Sequence, residues 1–210
     1  MRFLTTFFVL VFAVFGQDIR DLKRSRVEQL QFRDVYIIPL LNMVMNRKLP
    51  FPEINERIAE QEKLIDQRFK GKKNHIRLRG FYSPLSPLIS MASGISASGE
   101  PEIIMYLPSI MDAFSQSSFR CTFLRQLMHE RDHLTEVASN ATKVDLENET
   151  HIHALTAEFV LVPLIGKYKQ TCASNDIAHY NAWIKSGRNE KSPIWKDHIK
   201  RLYAPALGFR

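Results

Sequence analysis

Hydrophobic residues recur at helical spacing through the first part of the chain. Over residues 18–46 the apolar positions are Val27, Leu30, Phe32, Val35, Ile37, Ile38, Leu41 and Met45. The sequence LPFP at 49–52 breaks this pattern. Residues 53–69 then form a mostly polar helical segment with its own apolar stripe. The pattern therefore predicts a helical N-terminal extension over residues 17–70.

The spacing changes to alternation in the middle of the chain. The segment HIRLRGFYS at 75–83 alternates between polar and apolar residues, which is typical of a strand. A second apolar run, EIIMYLP at 102–108, ends at a proline. The residues between them, 84–100, are rich in Ser, Pro and Gly and predict a loop. Two short strands in this region predict a small sheet.

Helical spacing returns in the second half. One helix is predicted over residues 119–138, and the next over residues 147–162, where Pro163 should end it. Two further amphipathic helices are predicted within 174–203. The predicted fold class is therefore α+β, mostly helical, with residues 17–210 forming a single domain.

The first 16 residues, MRFLTTFFVLVFAVFG, have the three-part pattern of a secretory signal peptide. A basic residue comes first, an apolar stretch follows, and small residues precede Gln17. The apolar stretch is shorter than the ~18 residues that a membrane span needs. We therefore expect a secreted or periplasmic protein with no stable membrane span.

Charge narrows the range of partners. The chain carries 29 Lys and Arg residues against 22 Asp and Glu residues, a formal net charge of +7. These basic residues are spread out and do not alternate with aromatic residues, as they would in a nucleic-acid groove. We therefore expect no nucleic acid as a partner, whereas contact with an anionic surface or cell-wall polymer is compatible with the charge.

Residues 129–133 carry the candidate chemistry and read His-Glu-Arg-Asp-His, an HExxH motif. On a helix, His129 and His133 lie ~40° apart, so both imidazoles can reach one metal ion. Glu130 lies ~100° from His129, where it can face a water molecule on that ion without binding the ion itself. The spacing predicts a Zn²⁺ site with Glu130 as the general base.

This motif and its neighbours resemble the zincin metallopeptidases of the gluzincin type. A strand, a short helix, the HExxH helix and a second helix bearing a carboxylate follow one another over residues 75–165, as in a gluzincin core. A metzincin would need His where Ser139 stands. The resemblance implies a zincin-like core whose second helix runs antiparallel to the HExxH helix. It also implies a zinc-dependent peptidase acting on a peptide or protein substrate.

The resemblance places the third metal ligand on the second helix. Glu149 and His153 share one face of that helix, whereas His151 and Glu158 share the opposite face. Glu149 lies in the first turn, where a gluzincin ligand often lies, and is the favoured ligand. His153 is the second choice and Glu158 the third. If Glu149 binds the ion, His153 would support a ligand.

Further residues follow from the implied mechanism. EIIMYLP is expected to be the edge strand that pairs with an extended peptide substrate. The oxyanion donor stays open between His151, His153 and Tyr106. Members of the family usually have uncharged residues inside the motif, where this chain has Arg131 and Asp132. Asp132 is expected on a polar helix face with Arg125 and Glu136, and Arg131 is expected to extend its stem past Leu124 and Met128 toward solvent.

The positions of the two cysteines are compatible with an antiparallel packing of the HExxH helix and the helix that follows it. Cys121 lies near the start of the HExxH helix, and Cys172 follows the end of the next helix. These two ends are neighbours when the helices are antiparallel. In an oxidising compartment the pair is expected to form a disulfide.

Two alternative functions remain open. The charged pair Arg131-Asp132 favours a secreted, non-catalytic helical binding protein in which the HExxH motif is degenerate. The other alternative keeps the zinc but hydrolyses cell-wall peptides, a substrate class that the basic surface favours.

Overall fold

The computed structural model describes residues 19–80, 90–113, 117–136 and 145–204. Within this part the chain is mostly helical with one three-stranded sheet, which confirms the α+β, mostly helical prediction. The signal peptide expected at 1–16 lies outside the described residues. No helix within them is long and apolar enough to cross a membrane.

The elements follow one another in a simple order. The helices α1 to α8 are Ile19–Phe32, Ile38–Met45, Pro52–Arg68, Leu107–Ala113, Phe119–Glu136, Leu146–Thr156, Ser174–Lys185 and Pro193–Tyr203. The strands β1 to β3 are His75–Arg79, Met91–Ile95 and Pro101–Tyr106. A π-helical turn, Arg33–Ile37, joins α1 to α2, and a π-helical segment, Ala157–Lys167, continues α6.

The sheet has β3 at its centre. β1 pairs with β3 in parallel and β2 pairs with β3 antiparallel, so Ile103 lies opposite both Ile76 and Ser93. Two predictions are therefore wrong. Residues 84–100 are not all loop, because β2 lies within them, and EIIMYLP is not an edge strand, because β3 has a neighbour on each side. The segment MASGI has too few apolar residues to indicate a strand on its own. Its hydrogen bonds with β3 stabilise the extended conformation that its sequence does not predict.

The helix that begins with α6 continues past Pro163, contrary to the sequence prediction. Pro163 is buried within the π-helical segment, which runs on to Lys167. Its wider turns relieve the clash between a proline ring and the carbonyl group four residues earlier. The buried side chains of Val160, Leu161 and Leu164 hold this segment in the main core.

A disulfide joins Cys121 to Cys172, as predicted, with the two Cα atoms 5.2 Å apart. Cys121 lies in the first turn of α5, and Cys172 follows the π-helical segment. The bond closes a loop with a sequence separation of 51 residues. A cross-link over such a loop stabilises a protein by roughly 2–4 kcal/mol.

The charged residues inside the HExxH motif are buried, which corrects the expectation for both. Arg131 is 5% exposed and Asp132 is 1% exposed. Arg57 Nη2, on α3, donates to Asp132 Oδ1 at 2.7 Å. Gln61 Nε2 donates to the same oxygen at 2.5 Å, and Arg131 Nε donates to Gln61 Oε1 at 3.0 Å. These four residues, the charge cluster, tie α5 to α3.

Candidate metal centre

Two helices bring three metal-ligating side chains to one point. His129 and His133 lie one turn apart on α5, and Glu149 extends from the first turn of α6. The Nε2 atoms of the two histidines are 3.2 Å apart. Glu149 Oε2 lies 3.9 Å from His129 Nε2 and 3.5 Å from His133 Nε2. His129, His133 and Glu149 form the triad, a group that could hold a metal ion.

The spacing within the triad suits a tetrahedral ion. Zinc–ligand bonds of about 2.0–2.1 Å place neighbouring ligand atoms of a tetrahedron ~3.3 Å apart. The three observed separations lie within about 0.6 Å of that value. Two imidazoles with one carboxylate are also the protein ligands of a common type of catalytic zinc site, which keeps its fourth position open.

The first turn of α6 is fixed by its N-cap. The side chain of Asp145 accepts a hydrogen bond from the backbone N–H of Glu147 at 3.0 Å. It also accepts from the backbone N–H of Asn148 at 3.5 Å. Such a cap stabilises the start of a helix by ~1 kcal/mol. The cap therefore fixes the backbone from which Glu149 reaches the two histidines.

The two histidines of the triad have different proton affinities. Burial and the nearby cationic groups of His133 and Arg125 hold the pKa of His129 well below its usual range. Burial also lowers the pKa of His133, but the hydrogen bond and charge of Glu149 outweigh that effect and raise it overall. His129 therefore presents a neutral imidazole, the form that binds a metal ion.

Glu130 is positioned by the sheet. The backbone N–H of Ser93, on β2, donates to Glu130 Oε2 at 2.8 Å. Burial raises the pKa of the Glu130 carboxyl, against the opposing effects of His133 and of the hydrogen bond from Ser93. A carboxylate whose pKa is raised toward neutrality is suited to accepting a proton and returning it.

Tyr203 also belongs to the site, although the sequence does not indicate it. It is the last residue of α8, and its hydroxyl donates to Glu149 Oε2 at 2.5 Å. The same hydroxyl lies 3.0 Å from His153 Nε2. Burial and the hydrogen bond to Glu149 raise the pKa of Tyr203, so the phenol keeps its proton. Tyr203 comes 54 residues after Glu149, and only the docking of α8 brings the two together.

The other residues predicted for the site lie in different places. His153 contacts the triad, with its ring centroid 4.4 Å from that of His129. His151 instead pairs with Glu190, Nδ1 to Oε2, at 2.8 Å on an exposed surface. Glu158, the third choice of ligand, accepts from the indole N–H of Trp183 at 2.9 Å and also pairs with Arg188. Tyr106 is at the end of β3 and half-buried.

Three histidines form a row that leads away from the triad. The ring centroids of His153 and His179 are 4.9 Å apart. His179 Nδ1 lies 2.9 Å from His198 Nε2, which joins α7 to α8. Burial, together with the charges of Arg125 and His198, lowers the pKa of His179 to about 3. Burial also lowers the pKa of His153 and of His198, so the row is neutral at physiological pH, and the rings of His179 and His198 pack against Trp195.

Comparisons with known proteins identify no relative of this chain. A scan against protein-family models finds no match, and searches of curated proteins and of solved structures find none either. The function is therefore inferred from the geometry and chemistry of the site itself.

Proposed function

We propose that this protein is a secreted, zinc-dependent metallopeptidase with a gluzincin-like core. The observation that carries the proposal is the convergence of the triad beside the half-buried Glu130. His129, His133 and Glu149 would hold Zn²⁺ through two imidazoles and one carboxylate. When bound, the ion supplies a Lewis acid that polarises a scissile carbonyl and lowers the pKa of water.

Glu130 is the general base in this proposal. It is adjacent to His129 on α5 but is not one of the triad, and the N–H of Ser93 orients its carboxylate. Its raised pKa suits the two proton transfers that peptide hydrolysis requires. Glu130 would accept a proton from the attacking water and return it to the leaving amine.

The orientation of β2 supports a peptide as the substrate. In an antiparallel pair, the backbone groups of successive residues face alternately toward and away from the partner strand. Ser90 O accepts from Tyr106 N–H at 2.9 Å, and Ser96 N–H donates to Glu100 O at 2.8 Å. The even-numbered residues of β2 therefore face β3, and the odd-numbered residues face away from it.

The residues of β2 whose backbone N–H and C=O groups point away from β3 are Met91, Ser93 and Ile95. Among the described strands, β2 has no neighbour on this side. The N–H of Ser93 is taken by Glu130, which shows that this side of the strand faces the HExxH helix. An extended peptide pairing with the remaining backbone groups would lie beside both Glu130 and the triad. We therefore propose β2, rather than the predicted segment EIIMYLP, as the strand that pairs with the substrate.

The proposed location outside the cell is supported by the covalent structure. The disulfide between Cys121 and Cys172 is of the kind that persists in oxidising compartments. The signal-peptide pattern at residues 1–16 points the same way.

The proposal is tested by the substitution Glu130→Gln. We expect the variant to bind one zinc ion per chain, because the triad is intact, but to lose hydrolysis of casein by ~10²–10⁴-fold. Glu136→Gln is the matched control, because Glu136 is an exposed carboxylate at the end of the same helix. Cell-wall peptide fragments assayed in parallel with casein would assign the substrate class.

Two results would contradict the proposal. Unchanged hydrolysis in Glu130→Gln would remove the general base from the mechanism. Absence of stoichiometric zinc from the purified wild-type protein would favour the non-catalytic binding protein instead.

A further inference from the structure

We infer that Tyr203 is a positioning residue that holds the Glu149 carboxylate in place at the metal site; this inference rests on the zinc site proposed above. The hydroxyl of Tyr203 lies 2.5 Å from Glu149 Oε2. That oxygen is also the Glu149 atom nearest the Nε2 atoms of His129 and His133. A hydrogen bond to this atom restricts rotation of the carboxylate and keeps the oxygen directed at the two imidazoles.

The proton on each atom of this contact can be assigned. An ionised carboxylate only accepts hydrogen bonds, so the Tyr203 hydroxyl must donate to Glu149. The phenol has a single proton, so its contact of 3.0 Å with His153 Nε2 must be donated by His153. His153 therefore carries its proton on Nε2. Its Nδ1 is buried and has no hydrogen-bond partner among the described residues, so it is then an unpaired acceptor rather than a more costly unpaired donor.

The helix that carries Tyr203 is anchored beside Glu149. Trp195 is fully buried, and its indole N–H donates to the carbonyl oxygen of Thr150 at 3.1 Å. Thr150 is the residue after Glu149, so this bond ties α8 to the turn of α6 that bears the proposed ligand. The His179–His198 contact ties the same helix to α7. Tyr203 is thus held by a fixed element, which a positioning residue requires.

A second tyrosine–glutamate pair in the chain provides an internal comparison. The hydroxyl of Tyr168 donates to Glu53 Oε2 at 2.7 Å, where Lys167 also pairs with the carboxylate. This pair has the same chemistry, but no histidine takes part in it. Loss of its hydroxyl should leave zinc binding unchanged.

The experiment compares Tyr203→Phe with Tyr168→Phe. Partners that orient a metal ligand typically contribute 10–100-fold to affinity, so we expect a ~10–100-fold rise in the zinc dissociation constant of Tyr203→Phe. Competition with a chelator measures this constant. The visible absorption spectrum of the cobalt-substituted protein should also shift, because the carboxylate is released. Tyr168→Phe should match the wild type in both measurements.

A measurement on the wild type keeps the test independent of the stability of the variants. Nitrogen-15 NMR of the zinc-loaded protein reads the tautomer of His153 directly, and we expect the proton on Nε2. A proton on Nδ1 would overturn the inference, because Tyr203 would then donate to His153 rather than to Glu149.

The remaining outcomes separate this inference from the proposed function. If Tyr203→Phe binds zinc with wild-type affinity and gives the wild-type cobalt spectrum, the positioning role is wrong even if hydrolysis falls. If the wild-type protein binds no zinc, the metallopeptidase proposal itself has failed.

Discussion

The two faces of α5 bury polar groups in different ways. On one face, Asp132 lies in the charge cluster, where its carboxylate accepts from Arg57 at 2.7 Å and from Gln61 at 2.5 Å. On the other face, His129 and His133 direct two nitrogens at each other across 3.2 Å, with Glu149 beside them. Burying polar groups is costly on both faces. In the charge cluster the Asp132 carboxylate is matched by a guanidinium and an amide donor, whereas at the triad three potential ligand atoms converge on one point.

The difference separates a structural contact from a ligand site. Charges that neutralise each other across α3 and α5 hold the two helices together and leave nothing for a ligand to bind. Lone pairs that converge without enough protons between them are stabilised by a cation. The same helix therefore supplies a fixed support on one side and a binding site on the other.

The largest expected effect comes from removing one ligand of the triad. His129→Ala leaves two of three ligands, and we expect zinc affinity to fall by more than ~100-fold, beyond the range for residues that only support a ligand. Metal content after dialysis against a chelator measures it. His151→Ala is the control, because His151 is exposed and pairs with Glu190. Full zinc occupancy in His129→Ala would contradict the assignment of the triad.

A substitution in the charge cluster should act on stability instead. Asp132→Ala leaves the guanidinium of Arg57 buried with only the exposed Glu60 as its counter-charge. We expect the free energy of unfolding to fall by ~3–5 kcal/mol, measured by urea denaturation of the metal-free protein. Glu136→Ala, at an exposed position on the same helix, should change it little. A loss below ~1 kcal/mol, as for an exposed ion pair, would show that the charge cluster does not hold α5.

The smallest effect extends the comparison to the histidine row behind the triad. The pKa of His179 is about 3 when folded, against ~6.5 when unfolded. As the pH falls below ~6.5, the unfolded state takes up this proton first, so stability is full above that pH and declines toward pH 3. As the pH is lowered, the unfolding free energy of His179→Gln should fall less steeply than that of the wild type, by up to ~1.4 kcal/mol per pH unit.

Urea denaturation in a chelator at pH 7, 6 and 5 measures this slope. Asn181→Ala, which changes an exposed and uncharged residue on the same helix as His179, provides the control and should keep the wild-type slope. An unchanged slope in His179→Gln would show that His179 takes up its proton in the folded state over the same pH range as in the unfolded state, which contradicts the lowered pKa.

Much of the helical framework could be predicted from local sequence. The spacing of His129, Glu130 and His133 fixes their angles on any helix, and the apolar stripe around them predicts that helix. The pairing of Cys121 with Cys172 followed from the order and direction of two helices. Helix geometry places Glu149 and Glu158 on opposite faces, and the resemblance to gluzincins favours Glu149; the structure brings Glu149 to the two histidines.

Other features depend on contacts between distant parts of the chain. β2 has a weak pattern of its own, and β3 and α5 supply the pairing and packing that make it a strand. Asp132 was expected on a polar face of its helix. It is buried instead, because Arg57 and Gln61 on α3 donate hydrogen bonds to its carboxylate. Pro163 stays within a helix because buried neighbours compensate for the widened turn.

The sequence by itself determined most of the helices, the metal-ligating residue types and the spacing that places two imidazoles on one side of α5. Those properties depend on residues within one or two turns of each other, which backbone geometry relates directly. Only the tertiary structure decided that β2 orients Glu130 and that Tyr203 reaches Glu149. These contacts join residues that are 37 and 54 positions apart in the sequence. A local periodic pattern of residues cannot predict contacts over such distances.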